Sequence, residues 1–175
     1  PGIYWSPVGF NADGTKLIAN RGDILTGAIW MIDVATGEKS MIATGEGKLD
    51  VAVGFSSDNR FLSVTSEAPD GVNQAVLVDL KTGERRLMVP SQWPQEAGRI
   101  SPDGKTALVI NNVDGSIEML AYDIEAGKAR ALKLPKGTTA SSWFDLPQFS
   151  PDGKYILFPH SSASVPFDYW THELA

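Results

Sequence analysis

The residues of this 175-residue chain best suited to chemistry are two histidines, one serine in a near-match to a nucleophile turn, a regular series of aspartates, and five tryptophans. A serine nucleophile needs a base within reach and N–H donors for the developing oxyanion. Gly54-Phe55-Ser56-Ser57-Asp58 approaches the Gly-x-Ser-x-Gly elbow but lacks the closing glycine. His160 and His172 have no second histidine or carboxylate at metal-ligand spacing, and they read as a loop histidine and an exposed strand histidine. With no cysteine there is neither a disulfide nor a thiolate metal site. The aspartates are spread too far apart to supply the six to eight clustered oxygens that calcium takes. Arg21-Gly22-Asp23 matches an adhesion tripeptide, and its plainer reading is a solvated turn. No catalytic, cofactor-binding or metal-binding residue is assigned, and no cofactor is expected.

The elements that position these residues repeat. Phe149-Ser-Pro-Asp-Gly-Lys-Tyr-Ile-Leu-Phe158 is written four times, with turn aspartates at Asp13, Asp58, Asp103 and Asp152, in steps of 45, 45 and 49 residues. A fixed period of this size marks a stacked-repeat architecture. Proline presets φ at the first corner, aspartate bonds its own backbone, and glycine accepts the positive φ that follows. The second copy has Asn59 in place of glycine, the next most tolerant residue for that conformation. Asn11-Ala12 and Ser56-Ser57 stand where the other copies have Ser-Pro, a looser version of the turn. A second punctuated hairpin, Asp-x-x-x-Gly, ends at Gly37, Gly83 and Gly127, in the same register.

These turns delimit short strands in sets of four, A to D. Strand A lies near Pro7–Phe10, Val51–Phe55, Ala97–Ser101 and Leu146–Phe149. Strand B lies near Lys16–Asn20, Phe61–Ser66, Thr106–Asn111 and Tyr155–Pro159. Strand C lies near Ala28–Asp33, Gln74–Asp79, Ile117–Asp123 and Asp168–Leu174. Strand D lies near Glu38–Ala43, Glu84–Val89 and Lys128–Lys133. Continuous apolar runs such as Tyr155-Ile156-Leu157-Phe158 fit strands covered on both faces. The fold class is therefore all-β, a β-propeller of about three and a half to four four-stranded antiparallel blades. The blades run over about 5–49, 50–95, 96–144 and 145–175, the last incomplete. The preferred reading is part of a six- to eight-bladed ring. The alternative is a four-bladed closure in which Gly2-Ile3-Tyr4 supplies the missing outer strand of blade four.

The aromatics fall in a pattern of their own. Trp5, Trp93 and Trp143-Phe144 each precede strand A, so they sit on the connections that emerge beside the B–C loops. The candidate binding face is Trp5, Arg21, Asp23, Trp93, Trp143, Phe144 and His160. Trp and Tyr are enriched where surfaces bind, but the same indoles can instead cover the seams between blades. The seam reading is preferred.

Composition narrows the function class. Hydrophobic content of 42% and charged content of 21% are ordinary for a globular chain. A net charge of −6 with scattered Lys and Arg argues against nucleic-acid partners. No apolar run approaches the roughly 20 residues of a membrane span. No signal peptide is visible at Pro1, and without an initiator Met the sequence reads as a processed or excised segment. The compartment, bacterial periplasmic or secreted against cytoplasmic, stays open.

With both hairpins in place, Phe149 to Lys154 and Asp33 to Glu38, the chain resembles the TolB-like propeller repeats over nearly its whole length. Such blades occur in TolB and in the propellers of serine peptidases of the prolyl oligopeptidase family. The resemblance implies a non-catalytic propeller portion of a larger protein, first as the substrate-gating ring of such a peptidase. Its alternative is a TolB-like protein-interaction propeller of the bacterial envelope. The implied partners are the remaining blades, a hydrolase domain of the same chain, and a peptide or protein ligand.

Overall fold

The computed structural model describes residues 2–22, 26–42, 49–135, 137 and 146–174. The described residues form fifteen strands and no helix. Blade 1 consists of β1 (Tyr4–Phe10), β2 (Lys16–Gly22), β3 (Gly27–Asp33) and β4 (Lys39–Met41). Blade 2 follows with β5 (Asp50–Phe55), β6 (Phe61–Glu67), β7 (Asn73–Asp79) and β8 (Arg85–Leu87). Blade 3 has β9 (Gln95–Ile100), β10 (Thr106–Val113), β11 (Ser116–Asp123) and β12 (Lys128–Ala131). Blade 4 has β13 (Gln148–Phe149), β14 (Tyr155–His160) and β15 (Asp168–Glu173). Strands pair in chain order, all antiparallel. The first strands β1, β5, β9 and β13 touch in succession, so they lie innermost, around an axis. This is the partial all-β propeller that the repeats predict.

Tyr4, expected to serve blade 4 in a four-bladed closure, instead pairs with Gly22 inside blade 1. Among the described residues blade 4 holds three strands. Blade 3 differs from expectation in a smaller way. Strands β10 and β11 run on to Val113 and Ser116, joined by the two-residue turn Asp114-Gly115 with positive φ at both residues, the tightest hairpin geometry available.

All four A–B turns close by one set of bonds, so the first two copies are not looser. In blade 3 the Ser101 hydroxyl donates to Asp103 Oδ1 (2.6 Å) and accepts the Thr106 N–H (2.9 Å), and Gly104 N–H donates to Ser101 O (2.9 Å). Ser150 and Ser56 repeat this. In blade 1 the Asn11 amide oxygen replaces the hydroxyl and accepts Lys16 N–H at 2.8 Å. The serine thus matters as much as the proline beside it. In the C–D turns Asp33 Oδ1 accepts from Ala35 and Thr36, and Asp79 Oδ1 from Lys81 and Thr82.

Side chains alternate between two faces of each blade. Leu62 and Val64 of β6 pack backward on blade 1 with Ile18 and Ile29. Ala107 and Val109 of β10 pack backward on blade 2 with Ala75 and Leu77, and Ile156 and Phe158 pack on blade 3 with Leu108 and Met119. Burial on both faces explains the uninterrupted apolar run Ala107 to Ile110 of β10, whereas in the run Tyr155 to Phe158 of β14 only Ile156 and Phe158 are buried and Tyr155 and Leu157 stay exposed on the forward face.

Two polar ties cross these seams. In the first, strand B of one blade bonds the innermost strand of the next. Asn20 accepts the Ala52 N–H (2.8 Å) and donates to Ala52 O (3.0 Å), and Thr65 Oγ1 accepts the Ala97 N–H (2.9 Å). In the second, an outer-strand arginine reaches the carbonyl that follows strand C of the next blade. Arg86 donates to Ile124 O (2.8 Å) and Arg130 to Leu174 O (3.0 Å). Asn59 adds a third bond: held at φ 60°, it accepts the Ala12 N–H with its side chain (2.8 Å), linking the turns of blades 1 and 2.

Four turn carboxylates are held below their ordinary range: Asp33 by Lys16 and Thr36, Asp13 by Thr15, Asp103 by Ser101 and Lys105, Asp152 by Ser150 and Lys154. At Asp79 burial pulls upward but is outweighed by Lys81 N–H and Arg60. A folded-state value below the unfolded one stabilises above the unfolded pKa, and that gain is lost as pH falls through the folded value. The melting temperature should therefore drop below about pH 4, the unfolded carboxylate range, and Asp33→Asn should shrink that drop. An acid limb unchanged by Asp33→Asn and Asp103→Asn would show that the turns are not its source. Separately, Arg86→Met should cost about 1–2 kcal/mol in chemical denaturation, the range for a part-exposed charged hydrogen bond. A neutral result would remove the arginine tie as a seam element.

Candidate functional site

The predicted face divides into separate environments. Trp5, expected ahead of strand A, lies within β1 as the register partner of Arg21, which ends β2 rather than opening a loop. The Arg21 guanidinium lies 5.6 Å from the Trp5 ring and 5.9 Å from that of Trp30, whose indole meets Trp5 edge to face at 5.8 Å. The Lys39 ammonium lies 5.3 Å from Trp5. This group, with exposed Met41, covers the backward face of blade 1. Trp30 was legible only once β3 and its register were known.

Trp93 is half-buried on the connection into β9, its backbone N–H donating to Ser91 Oγ (2.9 Å), which in turn donates to Asn111 Oδ1 (3.1 Å). His160 is neither a loop residue nor exposed: it ends β14 with 1% of its surface accessible. Its ring stands edge-on to Trp170 (5.2 Å), and among the described residues its buried Nδ1 has no hydrogen-bond partner. A Cβ on Gly137 would approach its Cε1 to 2.8 Å. His172 is half-buried in β15. Counting from the turn aspartates, His160 and Arg21 occupy the same repeat position, each against a strand-C tryptophan, and the matching residues Ser66 and Asn111 are buried. The position is therefore a seam position. Asp23, Trp143 and Phe144 lie outside the described residues.

The Ser56 hydroxyl is committed to Asp58 Oδ1 and Phe61 N–H, so the near-elbow is a turn. Among the described residues no three carboxylates or imidazoles converge on a metal-binding position.

What the fold assembles instead is an axial cleft of about 230 Å³ between the innermost strands. Its polar wall is Ser6, Asn20, Thr65, Asn73, Glu96 and Arg99, and its apolar wall is formed by Val51, Val53 and Leu146. A one-residue register shift recurs in β1, β5 and β9, and such bulges re-aim side chains. Neither Glu96 nor Arg99 stood out in the sequence, because their only signal is their place on strand A. Larger clefts of about 480–510 Å³ open at the turn-bearing end of the seams. Several of their charged groups are already paired, as in Arg60–Asp79 and Lys16–Asp33, so the axial cleft is the better binding candidate.

No family model matches the chain. An uncharacterized protein of Agrobacterium fabrum (strain C58 / ATCC 33970) is 27% identical over 172 residues, 95% of this chain and 52% of its own length. The chain thus spans about half of this curated relative. Among solved structures, a protein assigned as TolB from Agrobacterium tumefaciens superposes with a TM-score of 0.80 at 23% identity, over 98% of this chain and 59% of that one. TolB from Acinetobacter baumannii gives 0.74 at 24%, over 99% and 41%. A prolyl endopeptidase gives 0.69 at 11%, over 98% and 27%. At these identities the structural likeness is one of fold.

The unpartnered His160 nitrogen sets a prediction. Replacing a buried, unsatisfied polar group by an apolar one is near neutral, so His160→Leu should leave the melting temperature unchanged or higher. Gly137→Ala should lower it through the clash with the Ser161 carbonyl, 2.3 Å from the added Cβ. A large loss in His160→Leu would show that the imidazole has a partner in the folded protein.

Proposed function

We propose that this chain is part of a TolB-like propeller ring that binds a peptide or protein ligand and carries no hydrolase of its own. The supporting observation is the axial cleft, where Asn73, Glu96 and Arg99 offer donors, acceptors and both signs of charge. That mixture suits an extended polar peptide better than a phosphate or an apolar ligand. The two Agrobacterium proteins that match nearly the whole chain run to about twice its length, which at this repeat leaves room for a few more blades but little for a hydrolase domain.

The second reading is the gating ring of a prolyl-oligopeptidase-like enzyme, supported by the prolyl endopeptidase likeness across 98% of the chain. The two separate in the full-length gene product. A fluorophosphonate probe should leave it unlabelled, and prolyl aryl-amide substrates should survive. Peptides selected on it from a displayed heptamer library should bind at least tenfold more weakly to Arg99→Ala, roughly 1.4 kcal/mol. Covalent labelling, or selected peptides indifferent to Arg99, would overturn the proposal.

A further inference from the structure

We propose that the backward face of blade 1 receives another blade of the same propeller, whose outermost strand carries an arginine that donates to the Val34 carbonyl. The inference rests on reading the chain as part of a larger ring, and adds what the covering blade must present.

Each of the three seams of the molecule carries at least one of the two ties. Between blades 1 and 2 the strand-B tie from Asn20 is present, and the arginine position, third after the turn glycine, is Ser40. Between blades 2 and 3 both Thr65 and Arg86 act. Between blades 3 and 4 the strand-B position is the apolar Ile110, and Arg130 acts. A seam without the strand-B tie has the arginine.

The backward face of blade 1 cannot form the N–H half of the strand-B tie, the half that Asn20 and Thr65 share. The residue that aligns with Ala52 and Ala97 in the strand register is Pro7, which has no N–H to offer. The arginine's acceptor is in place. Val34 N–H donates to Thr15 O, as Leu80 does to Arg60, Ile124 to Lys105 and Leu174 to Lys154. Val34 O is thus the counterpart of the two carbonyls that Arg86 and Arg130 reach.

The face itself is one that a blade covers elsewhere. Met41 is 58% exposed and Val34 50%, and among the described residues the buried Trp30 Nε1 has no hydrogen-bond partner. The arrangement continues the established seams by one step. A second copy of this chain would offer the forward face of its blade 4, where the described residues supply no outer strand to carry the arginine.

The test uses the full-length protein and its own methionines. Met88 and Met119 are 4% and 1% exposed. Under hydrogen peroxide, Met41 should oxidise several-fold more slowly than free methionine at every protein concentration, though faster than these two, because its counterpart Leu87 stays 38% exposed in a covered seam. A cross-linker anchored on Lys39 should identify the covering strand, with an arginine third after its turn glycine, and changing that arginine to lysine should raise the Met41 rate several-fold. Met41 oxidation at the rate of a free methionine would overturn the proposal. So would protection lost on dilution, which assigns the face to a second copy, or a covering strand without the arginine. Fluorophosphonate labelling of the same sample reports separately on the hydrolase question, so the two readings fail independently.

Discussion

A four-stranded sheet that is apolar on both faces cannot stand in water by itself, and this constraint governs the molecule. Fully burying one Leu, Ile or Phe is worth roughly 1.5–3 kcal/mol, and each seam here buries several such side chains. Stacking is therefore the source of stability, and hydrogen bonding within a blade sets its shape. The hairpin turns hold the alternation in phase, because a slip of one residue would exchange the two faces of a strand.

Apolar packing alone would let neighbouring blades slide. The polar ties supply the register. Asn20 and Thr65 fix the innermost strands, where the axial cleft forms, and Arg86 and Arg130 fix the periphery. The cleft is thus a by-product of seam geometry. Asn20, Ala52, Thr65 and Ala97 of its lining are held by the same bonds that hold the blades together.

Much of this is visible in the chain before any coordinates. Asp-Gly at one period and Asp-x-x-x-Gly at a second place the A–B and C–D hairpins, because only a few residue types accept positive φ. What escaped was of two kinds. Contacts that depend on register across a seam, such as Arg21 with Trp30 or Asn59 with Ala12, have no local signature. Strand ends were also set short where polar residues continue a ladder: Trp5 and Arg21 looked like connections because neither is part of an apolar run. His160 shows the same limit, since a polar residue type gave no hint that the neighbouring blade and Gly137 would enclose it.

The scarcity of bonds across the seams has a mechanical corollary. The backbone ladders of each sheet run between strands of that sheet, and among the described residues one isolated backbone bridge, Gly27 with Leu49, and a handful of side-chain hydrogen bonds join one sheet to the next. A chain built in this way responds to a pull on its ends as a series of weakly joined modules. It peels off sheet by sheet, each release letting out one repeat length of slack, so stretching spreads over several modest ruptures.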